Sequence, residues 1–263
     1  EPARQALENL VNPQLEVAVE SFLLPTSDWD EVSFLAISRN VKRIECTLYA
    51  MDLAKDVNLE GRQDVGWLDA VEPARLTKVH SWDHDTRDDG THQLSQAPIK
   101  IGRKLEPGAY LLVAAAGGQS ARELVLVTDA ALALKTGGGK ALAWFCQALT
   151  GEPVQGATVQ VWQQVEENGK RHWRRMTGET GTNGLAQLAL VGGGSHVVAF
   201  ASDGRRQAVA TGQNWYDQPE RADRRKVNAF TERTAYLPGE TVPWKNMARQ
   251  QNGRGYATPA GRV

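Results

Sequence analysis

Apolar residues recur at every second position in short runs along this chain, and turn-forming residues separate the runs. Leu15, Val17 and Val19 alternate with other residues, Val32, Phe34 and Ala36 form a second run, and Ile44, Cys46, Leu48 and Ala50 a third. A period of two places such side chains on one face of a strand, so each run is read as a half-buried β-strand. The polar corner Ser38-Arg39-Asn40-Val41 separates the second run from the third. Upstream, Ala3, Leu7, Leu10 and Val11 fall near helical spacing until Asn12-Pro13 stops them. The alternation is lost between residues 52 and 98, where Gly61, Gly66, Pro73, Gly90 and Pro98 interrupt it. A loop of that length is uncommon, so short helical turns are expected within it, with Asp64 to Ala74 as one candidate. Regularity returns at Leu105-Glu106-Pro107-Gly108-Ala109-Tyr110, a turn into Leu111, Val113 and Ala115, and a further strand runs from Glu123 to Val127.

A second block of short runs covers Ala131 to Leu134, Leu142 to Ala148, Thr158 to Trp162, Leu185 to Leu190, His196 to Ala201 and Gln207 to Ala210. Asn168-Gly169, Asn183-Gly184 and Asp203-Gly204 punctuate it, and such pairs supply the positive φ that tight turns need. Gln213 to Arg225 is polar and reads as a connector. Beyond it, Val227, Ala229 and Thr231 alternate, Leu237-Pro238-Gly239-Glu240 makes a type II-like turn, and Val242, Trp244, Asn246 and Ala248 alternate again. Short strands at regular spacing with turn signals between them predict an all-β chain of antiparallel sandwiches. Three units are expected: 1–128 with a long irregular insertion, 129–223, and 224–263 as the incomplete start of a third.

The wording of several turns carries more than a strand count. Phe230-Thr231-Glu232-Arg233-Thr234-Ala235-Tyr236-Leu237-Pro238-Gly239-Glu240-Thr241-Val242, followed by Trp244-Lys245, resembles the opening of a macroglobulin-like domain in bacterial alpha-2-macroglobulins. Arg233, Tyr236, Pro238, Gly239, Glu240 and Val242 match the family pattern, whereas Leu237 and Pro243 depart from it without disturbing the turn. FLAISRNVKRIECTLYAMD, the L-x-P-G-x-Y-L-L-V string at Leu105, and ALTGEPVQGATVQVW with GETGTNGLAQLAL are looser matches to the same family. The resemblance implies tandem seven-stranded, antiparallel, immunoglobulin-like (macroglobulin-like) β-sandwiches from a periplasmic, non-catalytic peptidase trap, membrane-associated through its parent chain or not. In such a trap a protease cuts an exposed bait, the domains rearrange, and the protease is enclosed. Its implied partners are target proteases, neighbouring macroglobulin-like domains and other cell-envelope proteins. By motif position, Arg233, Tyr236, Pro238, Gly239, Glu240 and Trp244 are candidates for a domain interface, with bracing of the turn as their alternative role. An adhesive or carbohydrate-binding array of immunoglobulin-like domains is the alternative function.

Composition trims the other classes. The 263 residues carry a formal net charge of −1, which gives no electrostatic footprint for nucleic acid. Cys46 and Cys146 each sit in phase with apolar neighbours and read as buried thiols in separate cores. Neither begins the family's thioester motif, Cys-x-Glu-Gln. His80, His84 and His92 among Asp83, Asp85, Asp88 and Asp89 invite a metal reading, but Arg87 falls where a calcium loop needs an acid, so a solvated acidic loop is preferred. Gly137-Gly138-Gly139-Lys140 lacks the remainder of a phosphate loop and reads as a hairpin turn. Trp144 and Trp162 fall at core-phase positions and Trp173 beside Arg174-Arg175 has an exposed look, and core or interface packing is preferred to a sugar-binding platform. No cofactor, metal or catalytic residue is assigned.

Overall fold

The structure is a computed structural model. It describes residues 4–5, 10–19, 33–62, 66–191, 196–213, 225–231, 239–251 and 256–258. The chain divides into two compact units, Glu1–Asn214 and Trp215–Val263.

The first unit holds two seven-stranded sandwiches. In the first, β1 (Gln14–Ala18), β2 (Ser33–Arg39) and β5 (Ser95–Lys100) form one sheet in the order β1-β2-β5. Strands β3 (Arg43–Met51), β4 (Thr77–Asp85), β6 (Gly108–Ala116) and β7 (Gln119–Val127) form the other, in the order β4-β3-β6-β7. Every pairing is antiparallel. Phe34 and Ala36 from one sheet meet Ile44, Cys46, Leu48, Leu112 and Ala114 from the other to fill the core. The Tyr110 hydroxyl donates to the Glu106 carbonyl at 2.6 Å. This is the tyrosine-corner arrangement of immunoglobulin-like sandwiches, and it fixes the entry into β6.

In the second sandwich, β8 (Ala130–Gly137), β9 (Lys140–Gln147) and β12 (Leu185–Ala189) pair in the order β12-β9-β8. Facing them, β10 (Thr158–Glu167), β11 (Lys170–Glu179), β13 (His196–Ser202) and β14 (Gln207–Gln213) pair in the order β11-β10-β13-β14. Gly138 and Gly139 close the β8–β9 hairpin at φ 57° and 69°, and Asn168 and Gly169 close β10–β11 at 54° and 72°. Positive φ at both central residues is the type I′ requirement. At Gly184 (φ +72°) a Cβ would lie 2.6 Å from the Phe145 carbonyl oxygen and 2.9 Å from Pro153 Cβ, so this turn admits only glycine.

Small side chains dominate the second core: Ala141, Ala143, Ala157, Ala186, Ala199 and Ala201 are buried with Phe145, Val159, Val161 and Val197. This corrects the phase expected for β9. Ala141, Ala143 and Phe145 point inward, whereas Trp144 is 37% exposed on the outer face. Cys146 is buried but lies in phase with Trp144 outside that core, while Cys46 belongs to the first core. Both thiols are free.

The stretch 52–98 is also more regular than expected. It contains β4 and β5, a turn from Gly66 to Val71 and a 3-10 turn at Pro73–Arg75. His80, Asp83, His84 and Asp85 therefore lie on a strand, leaving Asp88, Asp89 and His92 in the following loop. Strand β11, ten residues long, shows no apolar alternation because its sequence is mostly polar.

The second unit, described by itself, is a three-stranded antiparallel sheet of β15 (Arg225–Thr231), β16 (Trp244–Gln251) and β17 (Tyr256–Ala257). Gly239 adopts φ +90°, the sign a type II turn demands at its third position. Glu240 is exposed and Trp244 is 66% exposed at the start of β16. Arg233, Tyr236 and Pro238 lie outside the described residues.

Candidate functional site

The two sandwiches of the first unit share a third hydrophobic core. Strand β6 has two buried faces. Tyr110, Leu112 and Ala114 belong to the first sandwich, while Ala109, Leu111 and Val113 point the other way, into the shared core. Strand β13 does the same for the second sandwich, with Val197, Ala199 and Ala201 inward and Val198 and Phe200 outward. Trp162 on β10 and Trp173 on β11 join the outward set, at 1% and 8% exposure. A strand buried on both faces reads as a near-continuous apolar run rather than an alternation. YLLVAAA and VVAFA are such runs.

The irregular stretch after β3 fills the space between these sheets. Leu53, Val57, Leu59, Ala70 and Val71 are buried in the shared core, and the half-buried Trp67 meets Phe200 edge-on at a centroid distance of 5.1 Å. Asp52 opens the stretch by accepting from the amide of Ala54 at 2.9 Å, while the amide of Asp52 donates to Asp56 at 2.7 Å. Arg122 on β7 ties down the far end, donating to the carbonyls of Asp69 and Val71 at 3.1 and 2.8 Å. The expected long insertion is thus the filler of an inter-sandwich seam.

One polar side chain crosses the seam. Gln207, at the start of β14, is 4% exposed. Its Oε1 accepts from the Leu53 amide at 2.7 Å, and its Nε2 donates to the Met51 carbonyl at 3.2 Å. A glutamine side chain carries one donor end and one acceptor end, so it can pair with the main chain as a neighbouring strand would. Buried main-chain groups need such partners. At the rim, Arg206 meets Asp129 at 3.0 Å, with both side chains about a third exposed. An ion pair so hydrated contributes less than about 1 kcal/mol. The apolar filling and the Gln207 clamp therefore hold the seam.

Trp173, despite the exposed look of its sequence neighbours, is buried in the seam, where its ring meets His196 edge-on at 5.7 Å. Trp144 is the exposed tryptophan of the second sandwich, and its cross-strand neighbours are Leu185 and Ala133, so no aromatic row forms around it. Burial pushes the Cys46 thiol up to about 12, with the Asp83 charge adding to the shift, so the thiol stays protonated at neutral pH. Among the described residues there is no group of three or more His, Cys, Asp or Glu placed to hold a metal ion. No helix among them is long and apolar enough to cross a membrane.

No family model matches the chain. Among solved structures, it is similar to a fragment of native alpha-2-macroglobulin from Escherichia coli spanning domains MG0-NIE-MG1. That likeness has 13% identity and a TM-score of 0.46, over 75% of this chain and 64% of the fragment. A shorter fragment of the same protein, spanning NIE-MG1, gives 11% identity and 0.46 over 76% of this chain and 97% of the fragment. A tetra-tandem repeat from the extending region of a large adhesion protein gives 12% identity and 0.26 over 95% of this chain and 66% of the repeat. All three are loose likenesses, and this chain spans less than two thirds of the first.

Proposed function

We propose that this chain is a structural, non-catalytic part of a bacterial alpha-2-macroglobulin, within which its first two sandwiches act as a single rigid strut. The family comes from the motif strings around Arg233–Val242 and Leu105–Tyr110 and from the paired TGEP and TNG turns. The mechanical role rests on the seam. A trap that encloses its target after one cut in a bait must carry a local event to distant domains. It can do so only through parts that move as bodies. An apolar seam with a satisfied polar clamp makes two domains one such body, since sliding either sheet would expose Phe200, Trp162 and Leu111 and strand the main chain at Met51 and Leu53. On this reading the partners are proteases, met through the parent chain, and adjoining domains, and the setting is the periplasm.

The test is limited proteolysis of the full-length parent with several unrelated endopeptidases, read by mass spectrometry and native gel. One shared cut region, followed by a compact form that retains the protease, is the expected result. Scattered cuts with no compaction and no retained protease would sink the trap reading and leave an adhesive or assembly scaffold.

A further inference from the structure

Three sheet edges in the first unit are built in contrasting ways. Edge strand β4 has its register with β3 broken between Leu48 and Tyr49, and edge strand β5 carries Pro98. A bulge and a proline are both devices that blunt an edge against added strands. Strand β11 has neither. It pairs with β10 through ten successive positions without a break, from Thr158↔Glu179 to Glu167↔Lys170. From His172 to Thr177, no main-chain hydrogen bond joins it to anything but β10 among the described residues. Its register with β10 is unbroken, so its outward N–H and C=O groups follow at regular intervals.

The charge along this edge is distinctive. Lys170, Arg171, Arg174 and Arg175 are all exposed. The acids of the neighbouring strand answer only the hairpin end, where Glu166 lies 3.9 Å from Arg171 and Glu167 3.7 Å from His172. Arg174 and Arg175 have no carboxylate partner among the described residues. They also point to opposite faces of the sheet. Arg174 is in phase with Met176, which packs on the second core, while Arg175 lies with its guanidinium carbon 5.7 Å from the Trp162 ring centroid. That cation–π contact fixes the side chain on the face it shares with Trp162 of β10, one strand in from the edge.

We propose that β11 is a docking edge for an extended acidic peptide, which adds to the β11-β10-β13-β14 sheet as a fifth strand. Strand addition takes its affinity from the main-chain ladder and its selectivity from side chains that alternate between faces. An incoming strand here meets a cation on each face, so acidic residues are favoured at adjacent positions of the guest. The same charges oppose pairing with a second copy of β11, because like charges directly opposite repel. The edge is thus closed to itself and open to an acidic strand.

The experiment uses the full chain and a blocked peptide of repeating Glu-Glu-Val-Val, which places acids at adjacent positions and so on both faces of a strand, titrated at low and high salt. Hydrogen exchange is read on the β11 amides. The expected result is binding that weakens with salt, with new protection at alternate amides between His172 and Thr177. Charge reversal at both arginines (R174E with R175E) should weaken binding about tenfold, and R174E alone should do so by a smaller factor, in chains with unchanged melting curves. A Lys-Val peptide should not bind. An acidic peptide N-methylated at alternate residues keeps its charge but cannot form the ladder, and it should bind at least tenfold more weakly. Equal binding of that peptide, binding without new protection, or no binding at all would overturn the proposal. Competition by polyphosphate or an RNA oligomer with unchanged exchange would overturn it too, by marking a simple polyanion patch.

Discussion

Replacing Gln207 with leucine removes the polar clamp while keeping side-chain volume. In the folded protein the Leu53 amide and the Met51 carbonyl then lose the partner that meets them across the seam, at 2.7 and 3.2 Å. Each stranded main-chain group costs about 1–3 kcal/mol, so the pair costs about 2–6 kcal/mol, and the gain of about 1.5–2 kcal/mol from burying leucine leaves a net loss of about 0.5–4 kcal/mol. Urea unfolding of the full chain, followed by tryptophan fluorescence, reads this well, because Trp67, Trp162 and Trp173 all belong to the seam. Gln163 offers an internal control. It makes the same two-ended contact within the second sandwich, donating to the Val191 carbonyl at 2.7 Å and accepting from its amide at 2.9 Å. Gln163→Leu should cost a similar free energy and speed hydrogen exchange at Leu53 only as far as that global loss requires, whereas Gln207→Leu should speed it further by removing the acceptor itself. A loss below about 0.5 kcal/mol for Gln207→Leu, which is the scale of an ordinary surface change, would refute the clamp.

Other perturbations separate seam, core and surface. Trp162→Ala should cost about 3–5 kcal/mol in the same unfolding assay, and Trp144→Ala about 0.5 kcal/mol or less, separating two tryptophans that sequence phase treats alike. Gly184→Ala should lower the urea midpoint well beyond Gly156→Ala. Both have positive φ, at +72° and +73°, but only the first Cβ strikes backbone. Because the Cys46 thiol is raised from the usual 9.0 to about 12, its contribution to stability is complete below pH 9.0 and is lost as the pH climbs through about 12, with a slope of at most about 1.4 kcal/mol per pH unit. Cys46→Val should flatten that part of the stability–pH curve, and the native thiol should resist a disulfide reagent at pH 8 until urea unfolds the chain.

Strands with one wet face were legible from sequence. Phe34 and Ala36, then Ile44, Cys46 and Leu48, alternate as the pleat requires and sit in the first core. Turns that need positive φ were legible as well, Asn168-Gly169 among them. Strands with two dry faces were not. In YLLVAAA every position is apolar, so periodicity cannot divide Leu111 from Leu112, although one faces the seam and the other the first core. The useful signal was the loss of alternation in two strands at once, which marks a second buried face. In β9 the larger residues drew attention to the outer face, because the inner one is lined by Ala141 and Ala143. Strand β11 failed for the opposite reason: an edge with polar residues on both faces has no apolar period to find. The stretch after β3 has no period because it is not a strand or a helix but a filler, shaped by the two sheets it separates.

Native-state hydrogen exchange at rising urea tests most directly whether the two sandwiches form one body. If the seam makes them a single cooperative unit, amides in the middle of β6 and β13, such as Leu112 and Ala199, will exchange through the same global opening, with one free energy and one dependence on urea. A β13 set that opens at distinctly lower free energy while β6 stays protected would show two independent sandwiches, and would contradict the rigid strut.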